Sequence, residues 1–151
     1  MSVKLDEKDL KILNVLKKHA DYTTRQIAKK TLLPITTIHN RIKKLKREKV
    51  IKGFTVELNH KKIDEGFLVY ILIHVSLPIL KQKKKSQYDV AKELRVFEFV
   101  KRVDIVSGGT DLIAMIRVKD VSEFDKILLG KLQRIEGIEK TQSLIVIHEG
   151  K

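Results

Sequence analysis

The chain has 151 residues, 42% of them hydrophobic and 34% charged, with a formal net charge of +13. That is enough apolar material for a packed core, so a wholly disordered chain is excluded. With no cysteine, disulfide frameworks and thiolate metal sites are excluded as well. The N-terminus has no apolar stretch of the secretory kind, and Phe67–Leu80 is too short and too interrupted to span a bilayer, so a cytoplasmic protein without membrane contact is expected.

The positive charge is unevenly placed. Residues 1–62 hold 17 Lys and Arg against 6 Asp and Glu, whereas residues 63–151 hold 15 against 13. A basic first third beside a near-neutral remainder predicts an arm for a polyanion joined to a different module.

The spacing of Leu10, Ile12, Leu13, Val15 and Leu16 predicts an amphipathic helix over Asp6–Lys18, with Asp6 as its N-cap and Asp9 in its first turn. Thr23 or Thr24 caps a short second helix that ends near Thr31 and turns Ile27 and Ala28 inward. Pro34 fits the first turn of a third helix, which buries Ile38, Ile42 and Leu45 and runs to about Lys49. Two short helices joined by a tight turn, the second of them basic, make a helix-turn-helix. Opposite the apolar stripe lie Thr36, Asn40, Lys43 and Arg47, flanked by Thr37, Arg41 and Lys44. Thr and Asn read base edges, Arg grips guanine by two hydrogen bonds, and lysines neutralise phosphates of double-stranded DNA. The DNA-binding residues expected from this pattern are Thr36, Thr37, Asn40, Arg41, Lys43 and Lys44. Val50–Phe54 is expected to close the domain as a short strand with a glycine turn.

The polar stretch 54–66, above all Asn59–Gly66, predicts a hinge between a DNA-binding domain at 1–53 and a second domain at 67–151. There Phe67–Leu77 reads as a strand apolar on both faces, needing helices on one side and a second subunit on the other. A polar loop follows at Lys81–Gln87, then a helix over Tyr88–Leu94 and strands at Phe99–Val106 and Asp111–Val118 joined by a Gly-Gly turn. Ser122 is expected to cap a helix that buries Phe124, Ile127, Leu128 and Leu132 and stops at Gly137, before a last strand at Thr141–His148. The order is that of a ferredoxin-like βαββαβ domain, making the chain α+β.

Leu5, Asp6, Asp9, Ile12 and Leu13, then Ile38, Arg41, Ile42 and Leu45, and then Lys49-Val50-Ile51-Lys52-Gly53-Phe54 resemble the DNA-binding domain of the Lrp/AsnC (feast/famine) regulators. The second half resembles the same family's RAM domain, akin to ACT domains, through Gly108-Gly109-Thr110-Asp111 and the closing run Gly137–Ile145. The likeness covers almost the whole chain. Where the family usually has glycine and serine before the recognition helix, this chain has Leu32 and Pro34, and proline cannot give a side-chain cap.

The resemblance implies an N-terminal winged-type helix-turn-helix and a sequence-specific transcriptional regulator that is not an enzyme. It also implies a homodimer or a higher assembly of up to tetramer or octamer size, with no cofactor but a small amino-acid effector. Carried over by position, the effector-binding candidates are Gly108, Thr110, Asp111, Thr141 and Ser143. A glycine turn exposes backbone N–H groups to a carboxylate, and Asp111 suits an α-ammonium. The alternative is an assembly-forming architectural DNA-binding protein without an effector. The five histidines are dispersed without metal-ligand spacing, and the central strands offer aliphatics where an RNA-binding sheet shows aromatics.

Overall fold

The computed structural model describes residues 2–150. The chain divides into two compact units, Met1–Glu57 and Leu58–Lys151.

The first unit is three helices: α1 (Glu7–Lys18), α2 (Thr24–Thr31) and α3 (Ile35–Arg47). Asp6 starts α1 through a reciprocal capping box with Asp9, and Thr23 starts α2 through the same device with Gln26. Ile12, Leu16, Ile27 and Ile38 form the buried centre, with Val15, Tyr22, Ala28, Leu33, Ile42 and Ile51 packed around it. Leu10 points outward instead and is half exposed. Pro34 stands at the N-cap of α3 and makes no side-chain cap hydrogen bond, as proline must. Its carbonyl accepts from Ile38 N–H at 3.0 Å, so the helix begins on backbone geometry alone.

Leu32 ends α2 at φ 57°, ψ 29°, a left-handed conformation that costs a leucine about 1–2 kcal/mol and a glycine almost nothing. It is also 89% exposed. The expected strand at Val50–Phe54 does not form. Ile51 N–H bonds back to the carbonyl of Leu45 and the Ile51 side chain joins the helical core. The segment therefore seals the end of α3 and pairs with no strand, since a strand needs a neighbour that these residues do not have.

In the second unit, a 3₁₀ turn at His60–Ile63 leads into β1 (Phe67–Val75), α4 (Leu77–Gln82), α5 (Gln87–Arg95), β2 (Val100–Ile105), β3 (Leu112–Val118), α6 (Val121–Gly130) and β4 (Ile138–Ile145). The antiparallel sheet among the described residues runs β2-β3-β1-β4, which is the ferredoxin-like order. One face is the core. Val69, Ile71, Ile73 and Val75 of β1 and Leu112, Ala114, Ile116 and Val118 of β3 meet Val90, Ala91 and Leu94 of α5 and Phe124 and Ile127 of α6.

Several boundaries differ from those the sequence suggests. The polar run at Lys81–Gln87 is entered from a short helix, α4, because Pro78 at its second position supplies a helical φ and Leu80 reaches the core. Asp120, not Ser122, caps α6, with its Oδ1 accepting from Glu123 N–H at 2.9 Å. That helix ends at Gly130; Leu132 reaches the core from a separate 3₁₀ turn, Leu132–Arg134. β4 runs from Ile138, opposite Val75, to Ile145, opposite Val69, and Val146 N–H still reaches the carbonyl of Leu68 at 3.0 Å.

Gly137 opens that strand at φ +97°, and a Cβ built there would overlap Leu80 Cδ2. Gly137→Ala is expected to cost about 2 kcal/mol or more, from the forbidden φ and the overpacking together. A urea titration followed by circular dichroism checks it; an unchanged midpoint would mean that α4 gives way freely.

Candidate nucleic-acid interface and sensor turn

The outward face of α3 follows from its inward one. Ile38 and Leu45 are fully buried and Ile42 partly so. At about 100° per residue this leaves Thr36, Asn40, Lys43 and Arg47 on the far side, and all four are exposed. Between Asp21 and Glu48 the chain has eight Lys and Arg and no acidic residue. The face is thus polar and positive, with Arg47 alone of the four held by a carboxylate, that of Glu48 at 3.0 Å. His39, Lys43 and Lys46 join Thr24 and Ile42 around a cavity of about 320 Å³ beside the start of α2.

The flank occupied by Thr37, Arg41 and Lys44 differs. Thr37 is half-buried. Arg41 Nη1 donates to Asp6 Oδ2 and, at 3.1 Å, to Asp9 Oδ1, so its guanidinium is turned toward the start of α1. Asp9 is fully buried, and Lys44 Nζ lies 3.8 Å from its second oxygen. The Asp6 carboxyl is held below its ordinary range, first by the backbone N–H of Asp9 and then by Arg41. The same pair of carboxylates raises Arg41 above its usual value. The structure therefore brings together Thr36, Asn40 and Lys43 as free groups, and separates Arg41 as the tie between α3 and α1. The sequence offered one clue to this: Asp9 lies three and seven positions before Ile12 and Leu16, on the stripe of α1 that the core buries.

In the second unit, Gly108 sits at φ +139°, and both it and Gly109 have open space where a Cβ would stand. Thr110 Oγ1 donates to the carbonyl of Ile73 at 3.0 Å. Asp111 Oδ2 accepts from Val75 N–H at 3.0 Å and Oδ1 from Gln87 Nε2 at 3.0 Å. The turn is thereby tied to the end of β1 and the start of α5. On the other side of β1, Thr141 faces Ile73 and Ser143 faces Ile71 in the register, both half-buried on the helix-covered side. Gly108–Asp111 and Thr141 thus flank one residue of β1. Gln87 went unnoticed in the sequence, because nothing in a helix-start glutamine announces a partner 24 positions away. It also lines a cavity of about 440 Å³ with Leu77, Lys81 and Tyr88.

The opposite face of the sheet carries no helix among the described residues of this unit. Tyr70 and Leu72 of β1 lie there beside Met115 and Ile113 of β3, with Leu144 of β4 opposite Tyr70. Arg117 continues the row and grips Glu149 through two bonds at 3.2 and 2.6 Å, which draws that carboxyl below its usual range.

Among the described residues no helix is long and apolar enough to cross a membrane. Residues 5–52 match the family model for winged helix-turn-helix DNA-binding, and residues 69–151 match the Lrp/AsnC ligand binding domain. The HTH-type transcriptional regulator FL11 of Pyrococcus abyssi is 35% identical over 100% of this chain and 95% of its own length. LrpA of Pyrococcus horikoshii is 30% identical over 97% and 99%. A Neisseria meningitidis transcriptional regulator solved with L-Met shares the fold at a TM-score of 0.89 and 22% identity, covering 98% of this chain and 93% of that one. Escherichia coli AsnC does so at 0.85 and 21%, covering 97% and 95%. With a DNA-binding helix-turn-helix in one unit and this ligand-binding fold in the other, the chain belongs to the Lrp/AsnC family of transcriptional regulators, which are not enzymes.

Proposed function

We propose that the chain is a cytoplasmic, sequence-specific DNA-binding regulator that acts as a homodimer or a higher assembly and responds to a small amino acid. The observation that carries this is the outward face of α3, where Thr36, Asn40 and Lys43 stand free in a stretch with no acidic residue. Thr36, Thr37 and Asn40 contact base edges, and Lys43 and Lys44 hold phosphates. Arg41 acts by fixing the angle of α3 on α1. The helix-free sheet face supports a second copy of the chain, because Tyr70, Leu72, Ile113, Met115 and Leu144 have no cover within the unit.

The effector reading is supported by the ligand-binding family match and by the amino acid in the Neisseria complex. Gly108 and Gly109 present backbone N–H groups to its carboxylate, with Thr110, Thr141 and Ser143 around it. Asp111 holds the turn while its remaining lone pairs accept from an α-ammonium.

A binding titration at rising salt tests the DNA reading. About four phosphate contacts predict a loss of roughly a hundredfold in affinity between 50 and 200 mM salt. Affinity that barely changes would defeat it. A thermal-shift screen against the twenty amino acids tests the effector. A stabilising shift with one or a few is the expected result, and none with any leaves an architectural DNA-binding protein without an effector.

A further inference from the structure

We propose that Leu32 and Ile35 form an apolar tip at the entrance of α3 that recognises thymine methyl groups in the major groove. The inference rests on the DNA-binding reading of α3 and extends it to two residues that the polar face does not include.

The four apolar residues around the turn divide sharply. Leu33 packs against the helical core and Ile38 is fully buried, so these two satisfy the fold. Leu32 and Ile35 stay outside, 89% and 47% exposed. Leu32 holds a left-handed backbone that glycine would adopt without strain, and its side chain returns no packing to the core. Strain kept at an exposed position, with no internal compensation, points to a role outside the chain.

Ile35 is the first residue of α3. In a helix-turn-helix the first residues of the second helix meet base edges. The apolar group that a major groove displays is the C5 methyl of thymine, and a branched aliphatic side chain is its natural complement. Ile35 stands three positions before Ile38, at the open end of the apolar stripe, and Pro34, at φ −59° between Leu32 and Ile35, restricts the entry of the chain.

The surroundings select DNA over an apolar protein partner. Lys29 and Lys30 are exposed in the last turn of α2, just ahead of Leu32, and Lys43 is exposed two turns into α3. An apolar partner would have to desolvate these lysines without neutralising them, whereas a duplex offers phosphates to them and methyls to the tip together.

The test uses the full chain. Its preferred duplex is selected from a random library, and each thymine is then replaced singly by deoxyuridine, which removes only the methyl. Binding should weaken about fourfold at one or two thymines per half-site, the factor that burying one methyl-sized apolar group supplies. In Ile35→Ser at least one of these penalties should disappear. Leu32→Gly should raise the melting temperature while it lowers the deoxyuridine penalty, and a merely structural leucine could not move the two in opposite directions. The proposal is overturned if no deoxyuridine weakens binding by the wild-type chain, or if the penalty persists in both variants. Should selection enrich no sequence at all, the reading of α3 as a sequence reader fails first; a well-bound site indifferent to every methyl sinks the tip alone.

Discussion

Replacing Arg41 with alanine is expected to lower the melting temperature of the N-terminal unit by on the order of 10 °C. Asn40→Ala should leave melting unchanged and remove sequence preference. The contrast follows from where the two side chains go. Asn40 is exposed on the outward face, and nothing in the fold depends on it. Arg41 closes on Asp6 and on Asp9, which has no solvent contact of its own. Without the guanidinium, Asp9 keeps its Asp6 backbone bond at 3.2 Å and only the lysine at 3.8 Å as a cation. A buried carboxylate left short of its partner costs far more than a surface pair returns.

Acid should act in the same direction. The Asp6 pKa is lowered by the fold, so its contribution is present above the unfolded value, 3.8, and is lost as the pH falls through the lower folded one. Thermal melts from pH 7 to pH 2 should show a steeper acid loss for the wild-type chain than for Arg41→Ala, whose Asp6 has lost that cation. If Arg41→Ala melts like the wild type and abolishes sequence preference, Arg41 reads bases and the tie to α1 is incidental.

This reassignment marks the boundary of what periodicity can tell. The stripe Ile38, Ile42, Leu45 located the face of α3 correctly, because burial at helical spacing is a local property of the chain. It placed Arg41 on the flank of that face, which is also right. Whether a flanking arginine looks outward or across to another helix depends on a residue 32 positions away, and no local pattern holds that information. The same holds at the turn between β2 and β3. Gly108 and Gly109 announced a hairpin, but the roles of Thr110 and Asp111 come from Ile73, Val75 and Gln87, which only the sheet and α5 bring beside them. Val50–Phe54 misled for a related reason. Two β-branched residues before a glycine suit a strand, yet strands exist in pairs, and the residue that mattered, Ile51, goes to the core instead.

The two-sided apolar character of β1, by contrast, was legible at once, and it leads to the second large effect. Leu72→Lys is expected to convert the proposed dimer into monomers at micromolar concentration and to weaken binding to a two-half-site duplex by about 10²–10⁴-fold. The side chain stands on the helix-free face with Ile113 across one strand boundary and Gln142 across the other. In the free unit a lysine there can lift its ammonium into solvent, so folding survives. Against a second copy of this face the ammonium would be drawn out of water, and the carboxylate on the face beyond Ile113, that of Asp104, is already held by Arg102 at 2.7 Å. Loss of the dimer also uncouples the two recognition helices, turning one bivalent binding event into two weak ones, while affinity for a single half-site stays as it was. Sedimentation velocity and paired titrations on one-site and two-site duplexes separate these effects. A Leu72→Lys chain that still sediments as a dimer and binds the two-site duplex normally would remove this sheet face from the assembly and leave its apolar row to some other partner.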